Sequence, residues 1–381
     1  MLNAPVVVVG SGLAAWTVIK EFRKHDSSTP VTLVTASSGD AYPKPALSTA
    51  FAQNKLPAQL RNGVASELAA TLNLQLQAHT RATSIDLAQQ QLHTDQGVFA
   101  YSRLVLAHGA DPIRIPMQGD AADTVLSVNQ LEDYQLLRER LQAGMRVLIM
   151  GAGLIGCEFA NDLSVAGFNV QVADPAPRAL TALLPEAASA QLQQALSELG
   201  VVWQLNNSVV SLNHHHGALQ AHLKNGDTVD TDLVLSAIGL RANTGWLSAS
   251  GLACDKGVLV NPVLQTSDPH VYALGDVAQY ASAHNRLLPY VMPIMTAARA
   301  LGATLAGTPT DVVFPVMPVA VKTPALPLLL AAPQPGSHGQ WQTVEEGVWQ
   351  FISDSGECLG FVLAGKQTAQ RSKALQWLKP V

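Results

Sequence analysis

Val6-Val7-Val8-Val9-Gly10-Ser11-Gly12-Leu13-Ala14-Ala15 is the stretch that decides the fold. Four successive β-branched residues suit a strand buried on both faces of a parallel sheet. Gly10 permits a tight turn, Gly12 lets backbone approach a pyrophosphate, and Ala15 is small enough for a helix to pack closely on the strand. Trp16, Ile19 and Phe22 continue at helical spacing, and Val31 to Thr35 supplies a second strand. The pattern returns at Arg146-Val147-Leu148-Ile149-Met150, followed by Gly151-Ala152-Gly153-Leu154-Ile155-Gly156, a helix through Glu158 and Leu163, and a strand from Asn169 ending at Asp174. One glycine-rich turn is a weak signal, because such turns also serve packing alone. Two copies, each between strand, helix and strand, point to two Rossmann-like dinucleotide-binding folds in an α/β chain.

The two copies differ at one informative position. Asp174 stands where an acid accepts hydrogen bonds from the hydroxyls of an adenosine ribose, and its charge repels a 2′-phosphate, so the second fold should prefer NADH to NADPH. Arg178, nearby, works against that preference. The first fold has Thr35, Ala36 and Ser37 in the corresponding region, and hydroxyls or backbone must take over the ribose contact there.

Composition sets the outer limits. A chain of 381 residues is long for a single core and suggests two or three domains. With 48% hydrophobic and 13% charged residues it is globular, and a net charge of -5 argues against non-specific binding to nucleic acid or an anionic membrane. Cys157, Cys254 and Cys358 form no CxxC, so neither a zinc site nor a local redox disulfide is indicated. Sparse cysteine fits a reducing compartment, no secretory signal opens the chain, and no apolar run approaches a bilayer span, so a cytoplasmic location is expected. His214-His215-His216 has the look of a metal cluster but reads better as a solvated hairpin turn in which adjacent side chains diverge.

Further segments carry a family resemblance. Tyr101 to Pro112 resembles the strand that leads the chain out of the first fold in two-dinucleotide flavoproteins, and Thr231 to Thr244 resembles the return. Leu264-Gln265-Thr266-Ser267 with Val271-Tyr272-Ala273-Leu274-Gly275-Asp276 resembles the segment whose aspartate holds the FAD ribityl chain. Tyr42-Pro43-Lys44-Pro45-Ala46-Leu47-Ser48, the segment Gly156 to Leu163, Tyr290-Val291-Met292-Pro293, and Met317 to Pro324 narrow the likeness to bacterial rubredoxin reductases, including those that serve flavorubredoxin. Disulfide- and peroxide-reducing relatives carry cysteine soon after the second strand. Here no cysteine precedes Cys157, so no thiol relay stands beside the flavin.

The resemblance implies a glutathione reductase-like architecture. Residues 1–112 and 245–313 would form a split FAD domain, 113–244 an inserted NAD domain, and 314–381 a small α+β C-terminal domain with an antiparallel sheet and a helix over 368–378. One non-covalent FAD per chain would touch Gly10, Ser11, Gly12, Leu13, Ala14, Ala15, Thr35, Ala36, Lys44, Ala82, Glu158, Asp276, Val291 and Lys322. NADH would use Gly151, Gly153, Gly156, Asp174 and Gly239. No metal is implied.

The implied reaction takes a hydride from NADH and releases electrons singly to rubredoxin, an acidic iron protein, feeding a process such as alkane hydroxylation. Lys44 and Glu158 would pair beside the flavin as the catalytic residues, although read alone they are an ordinary loop lysine and helix glutamate. Lys322 would lie at the flavin edge, a role that a surface lysine between prolines fits no better than simple solvation. His108 approaches the flavin or merely packs, and Cys157 is a small buried hydrophobe. Ferredoxin or flavorubredoxin as acceptor, direct oxygen reduction, and an NADH-responsive redox sensor remain the alternatives, with a monomer or homodimer expected.

Overall fold

The computed structural model describes residues 4–378. The chain forms two compact units. One runs up to Lys44 and adds Ala58–Asp111 and Leu240–Phe314. The other comprises Pro45–Pro57, Pro112–Gly239 and the chain from Pro315 onward.

The first unit is built on a parallel sheet in the order Val271–Ala273, Arg103–Leu106, Val6–Val9, Val31–Val34, Gln75–Gln77. Every residue of Val6–Val9 is buried, in one core with Trp16, Ile19 and Phe22 of the helix Leu13–Arg23 and with Ile85 and Leu92. The helix Leu13–Arg23 packs along Val291–Leu305, and their contact depends on a missing side chain. A Cβ on Gly302 would stand 2.7 Å from the Glu21 Cβ and 2.9 Å from backbone of Glu21 and Phe22. Backbone cannot yield as a flexible side chain can, so Gly302→Ala should cost about 1–3 kcal/mol and lower the melting temperature by several degrees in a thermal melt.

The second unit repeats this plan. Its four-stranded parallel sheet runs Val202–Leu205, Asn169–Asp174, Arg146–Met150, Leu233–Ser236. The shared register is exact at the glycine turns: Gly10 N–H donates to Val34 O, and Gly151 N–H to Ala173 O, each at 2.8 Å. Thr35 and Asp174 therefore occupy the same place in the two folds.

The C-terminal part carries five antiparallel strands in the order Val319–Val321, Leu328–Ala331, Cys358–Ala364, Val348–Ser353, Gly339–Glu345. Two of them lie in the Pro-rich stretch. The closing helix is shorter than the sequence suggests: Gly365–Gln370 is a 3-10 turn, and the α-helix spans Arg371–Trp377. Its Ala374 joins a core with Leu329, Val348, Phe361 and Leu363.

Candidate functional site

In the first unit, the glycine turn is shaped from below and open above. Gly10 has φ +106°, and a Cβ there would meet Ala107 O at 2.5 Å, so only glycine lets the turn lie against the neighbouring strand end. A Cβ on Gly12 would meet nothing within 4 Å. Gly12 caps the helix Leu13–Arg23 without a side-chain hydrogen bond, so first-turn N–H groups are left for an anion. Leu13 is 38% exposed, whereas Ala14 and Ala15 are buried beneath the turn.

Beside this turn the Ser11 hydroxyl lies 2.9 Å from that of Thr35 and 3.2 Å from that of Ser37, and the Thr35 and Ser37 hydroxyls are 3.2 Å apart. Three neutral hydroxyls thus cluster where the second fold has a carboxylate. Ala36 is exposed next to them.

Asp276 sits in the 3-10 turn Gly275–Val277 after the strand Val271–Ala273. Its Oδ1 is buried with no hydrogen-bond partner. Burial pushes its carboxyl above the usual range, and the Lys44 charge opposes that shift. A buried acceptor without a donor is costly, and its presence fits a ligand that brings hydroxyl donors. With the open glycine turn, it makes the unit suited to hold FAD.

The remaining positions of this unit lie on other elements. Ala82 opens the strand Ala82–Asp86 opposite Thr94. Val291 begins the helix Val291–Leu305 and is 43% exposed. Burial pushes the His108 imidazole down to about 4, leaving it neutral, with its ring centroid 5.5 Å from that of Trp246.

In the second unit, Gly151 has φ +108°, and its Cβ would meet Ala237 O at 2.6 Å. Gly153 is open, and Gly156 lies so close to Gly151 O that a Cβ would stand at 1.9 Å. The carboxylate of Asp174 accepts from Ala152 N–H at 2.6 Å and Ala176 N–H at 2.7 Å, which fixes it at the lip of the turn. Arg178 is engaged by Glu186 at 3.1 Å. Gly239, at φ +112°, accepts from Ile113 N–H at 3.0 Å where the chain leaves this unit.

The helix Leu154–Val165 follows this turn and carries a polar stripe that sequence reasoning credited only at Glu158. Glu158, Asn161 and Asp162 are 6%, 2% and 4% exposed, yet each is satisfied. Glu158 accepts from the Ser48 hydroxyl at 2.5 Å and from Lys322 N–H at 3.0 Å. Asn161 accepts from Ala325 N–H at 3.0 Å. Asp162 accepts from Phe51 N–H at 2.7 Å and Ala52 N–H at 3.1 Å. Burial, together with the Glu158 charge, lifts the Asp162 carboxyl to about 6, although both N–H groups pull it down. Lys322 is exposed and donates its Nζ to Pro45 O at 3.1 Å. Lys44 opens the 3-10 turn Lys44–Thr49 that carries Ser48, but belongs to the first unit, whereas Glu158 belongs to the second.

Cys157 is buried and its thiol donates to Ala152 O at 3.4 Å, while burial pushes its pKa up, so it packs. The histidine run was expected to point its side chains apart. Instead, His215 ends the strand Val209–His215, His216 takes φ +47°, and their rings lie 4.2 Å apart, because the left-handed turn folds one ring back on the other. Among the described residues no group of three or more His, Cys, Asp or Glu is placed to hold a metal, and no helix is long and apolar enough to cross a membrane.

The pyridine nucleotide-disulphide oxidoreductase pattern matches residues 4–300, and the rubredoxin binding C-terminal domain pattern matches residues 311–378. A rubredoxin-NAD(+) reductase of Alcanivorax borkumensis is 40% identical over 373 residues, covering 97% of both chains. A nitric oxide reductase FlRd-NAD(+) reductase of Vibrio vulnificus is 38% identical over 379 residues, covering 99% of this chain and 98% of its own. Among solved structures, putidaredoxin reductase in its covalent complex with putidaredoxin superposes with a TM-score of 0.88 at 25% identity, covering 98% of this chain and 93% of its own.

Proposed function

We propose a function from one premise: the chain belongs to the pyridine nucleotide-disulphide oxidoreductase family. It works as an NADH:rubredoxin reductase with one non-covalently held FAD. The observation that carries this reading is the succession of the oxidoreductase pattern and a rubredoxin-binding pattern along one chain. When bound, FAD converts a two-electron hydride donor into a source of single electrons, which an iron centre can accept.

The protein's own part is placement. FAD is assigned to 1–112 and 245–313, with its phosphates at the N-terminus of Leu13–Arg23, its ribose at Ser11 and Thr35, and its ribityl chain at Asp276. NADH is assigned to 113–244, with its phosphates at Gly151 and Gly153 and its adenosine ribose at Asp174. The pairing of Lys44 with Glu158 beside the flavin rests on the motif around Lys44, and the Lys44 charge would stabilise negative charge developing there. Rubredoxin is assigned to 314–381. A flavorubredoxin as acceptor is the second reading, favoured by the likeness to the Vibrio vulnificus relative.

The deciding experiment is NADH-dependent reduction of rubredoxin by the FAD-loaded protein, with ferredoxin and flavorubredoxin alongside. Rubredoxin should be reduced fastest, and faster reduction of ferredoxin would overturn the assignment. A second expected result concerns the donor. Removing the Asp174 carboxylate takes away a charged acceptor and its repulsion of a 2′-phosphate. Asp174→Ala should therefore shift kcat/KM for NADH over NADPH by about 10- to 100-fold toward NADPH, the ~1.5–3 kcal/mol of a charge-assisted hydrogen bond. Steady-state kinetics with both donors measures it.

A further inference from the structure

The polar stripe of the helix Leu154–Val165 does more than hold Glu158. Its members stand at helical spacing on one face, where a buried helix is ordinarily apolar. Their partners come from two segments, residues 48–52 and 322–325. The first of these is also gripped from the helix Leu131–Arg140. The Phe51 ring lies edge-on to Tyr134 at 5.2 Å, Arg138 stands 5.1 Å over the same ring, Tyr134 OH donates to Lys55 O at 2.8 Å, and Arg138 donates to Asn54 at 3.0 Å.

Two adjacent N–H groups at Phe51 and Ala52 require two acceptor oxygens. A carboxylate has them, whereas an amide side chain offers one oxygen and two further donors. Glu158 is shared in the same way, one oxygen to Ser48 and the other to Lys322 N–H. The backbone fixed by Asp162 begins three residues after Ser48, so its position governs whether the Ser48 hydroxyl reaches Glu158.

We propose that Asp162 is a positioning residue: it fixes the backbone at Phe51 and Ala52 so that Ser48 meets and orients Glu158. This rests on the reading of Glu158 as a residue beside the flavin. The charged and titratable groups facing Asp162 are Glu158 on its own helix and Tyr134 and Arg138 on the helix across the segment.

The test uses the FAD-loaded full chain and its variants Asp162→Asn, Ser48→Ala and the double substitution. Flavin reduction by NADH is followed by stopped flow, and amide exchange by mass spectrometry over residues 49–56. Asp162→Asn should slow flavin reduction about tenfold, the scale on which small misplacements act, while KM for NADH stays within about twofold. Ser48→Ala should slow it similarly, and the double variant should be no slower than the slower single one, because both substitutions act on the same contact. Exchange at residues 49–56 should rise in Asp162→Asn and stay unchanged in Ser48→Ala. An unchanged rate in Asp162→Asn, or multiplicative losses in the double variant, would overturn the proposal. A wild-type holoprotein that NADH fails to reduce would overturn the functional reading instead. Unchanged amide exchange in Asp162→Asn would then overturn the clamp on its own.

Discussion

Above pH 7 the Asp162→Asn protein should be more stable than the wild type. The wild-type carboxyl ionises at about 6 in the fold, raised from the ordinary 3.8. Between those values the folded chain binds the proton and the unfolded chain has released it, so stability falls as pH rises through that window. The shift corresponds to about 3 kcal/mol lost between pH 4 and pH 7. Asparagine does not ionise and escapes this loss, but turns an NH2 toward one of the two backbone N–H groups, which costs about 1 kcal/mol or more. The net gain at pH 7.5 should be about 1–2 kcal/mol, vanishing or reversing near pH 4.5. Chemical denaturation of both proteins across that range measures it, and parallel curves would show that the carboxyl does not titrate in the window. A variant that is both more stable and slower would show a buried charge retained for its geometry at a cost in stability.

Asp276→Ala should separate the two states of the first unit in opposite directions. Asp276 Oδ1 is buried with no hydrogen-bond partner in the protein, and burial raises the carboxyl's pKa. Its removal should spare the apoprotein about 1–3 kcal/mol of unsatisfied desolvation, less the cost of a small cavity. On the proposed assignment the same removal would deprive FAD of its ribityl acceptor, and affinity should fall about 100-fold, or ~3 kcal/mol. FAD titration of apoprotein by flavin fluorescence measures the loss, and melts of the two apoproteins measure the gain. Wild-type affinity in the variant would remove Asp276 from the site.

The parts of the fold legible in the sequence are those that its backbone demands of particular residues. Val6–Val9 and Arg146–Met150 are strands because nothing polar interrupts them, and both glycine turns fall at their ends. Gly10 and Gly151 hold left-handed backbone pressed against a neighbouring strand end, a constraint visible as glycine. The exchange of Thr35 for an acid was likewise visible, because side chains make that contact.

The contacts of Asn161 and Asp162 were not legible. Polar residues on a helix read as a solvated face, and their partners here are backbone N–H groups, which every non-proline residue carries. The strands Val319–Val321 and Leu328–Ala331 were hidden similarly, because the prolines around them read as irregular chain. The histidine rings met because a left-handed residue at a hairpin overrides the alternation of side chains along a strand.

That anonymity of the backbone donors has an evolutionary consequence. Phe51, Ala52 and Ala325 are held through atoms that no ordinary substitution removes, so these three contacts with the helix Leu154–Val165 place little restriction on the side chains at those positions. Substitutions at these three positions should leave the N–H contacts in place, with proline the one residue each of them must refuse.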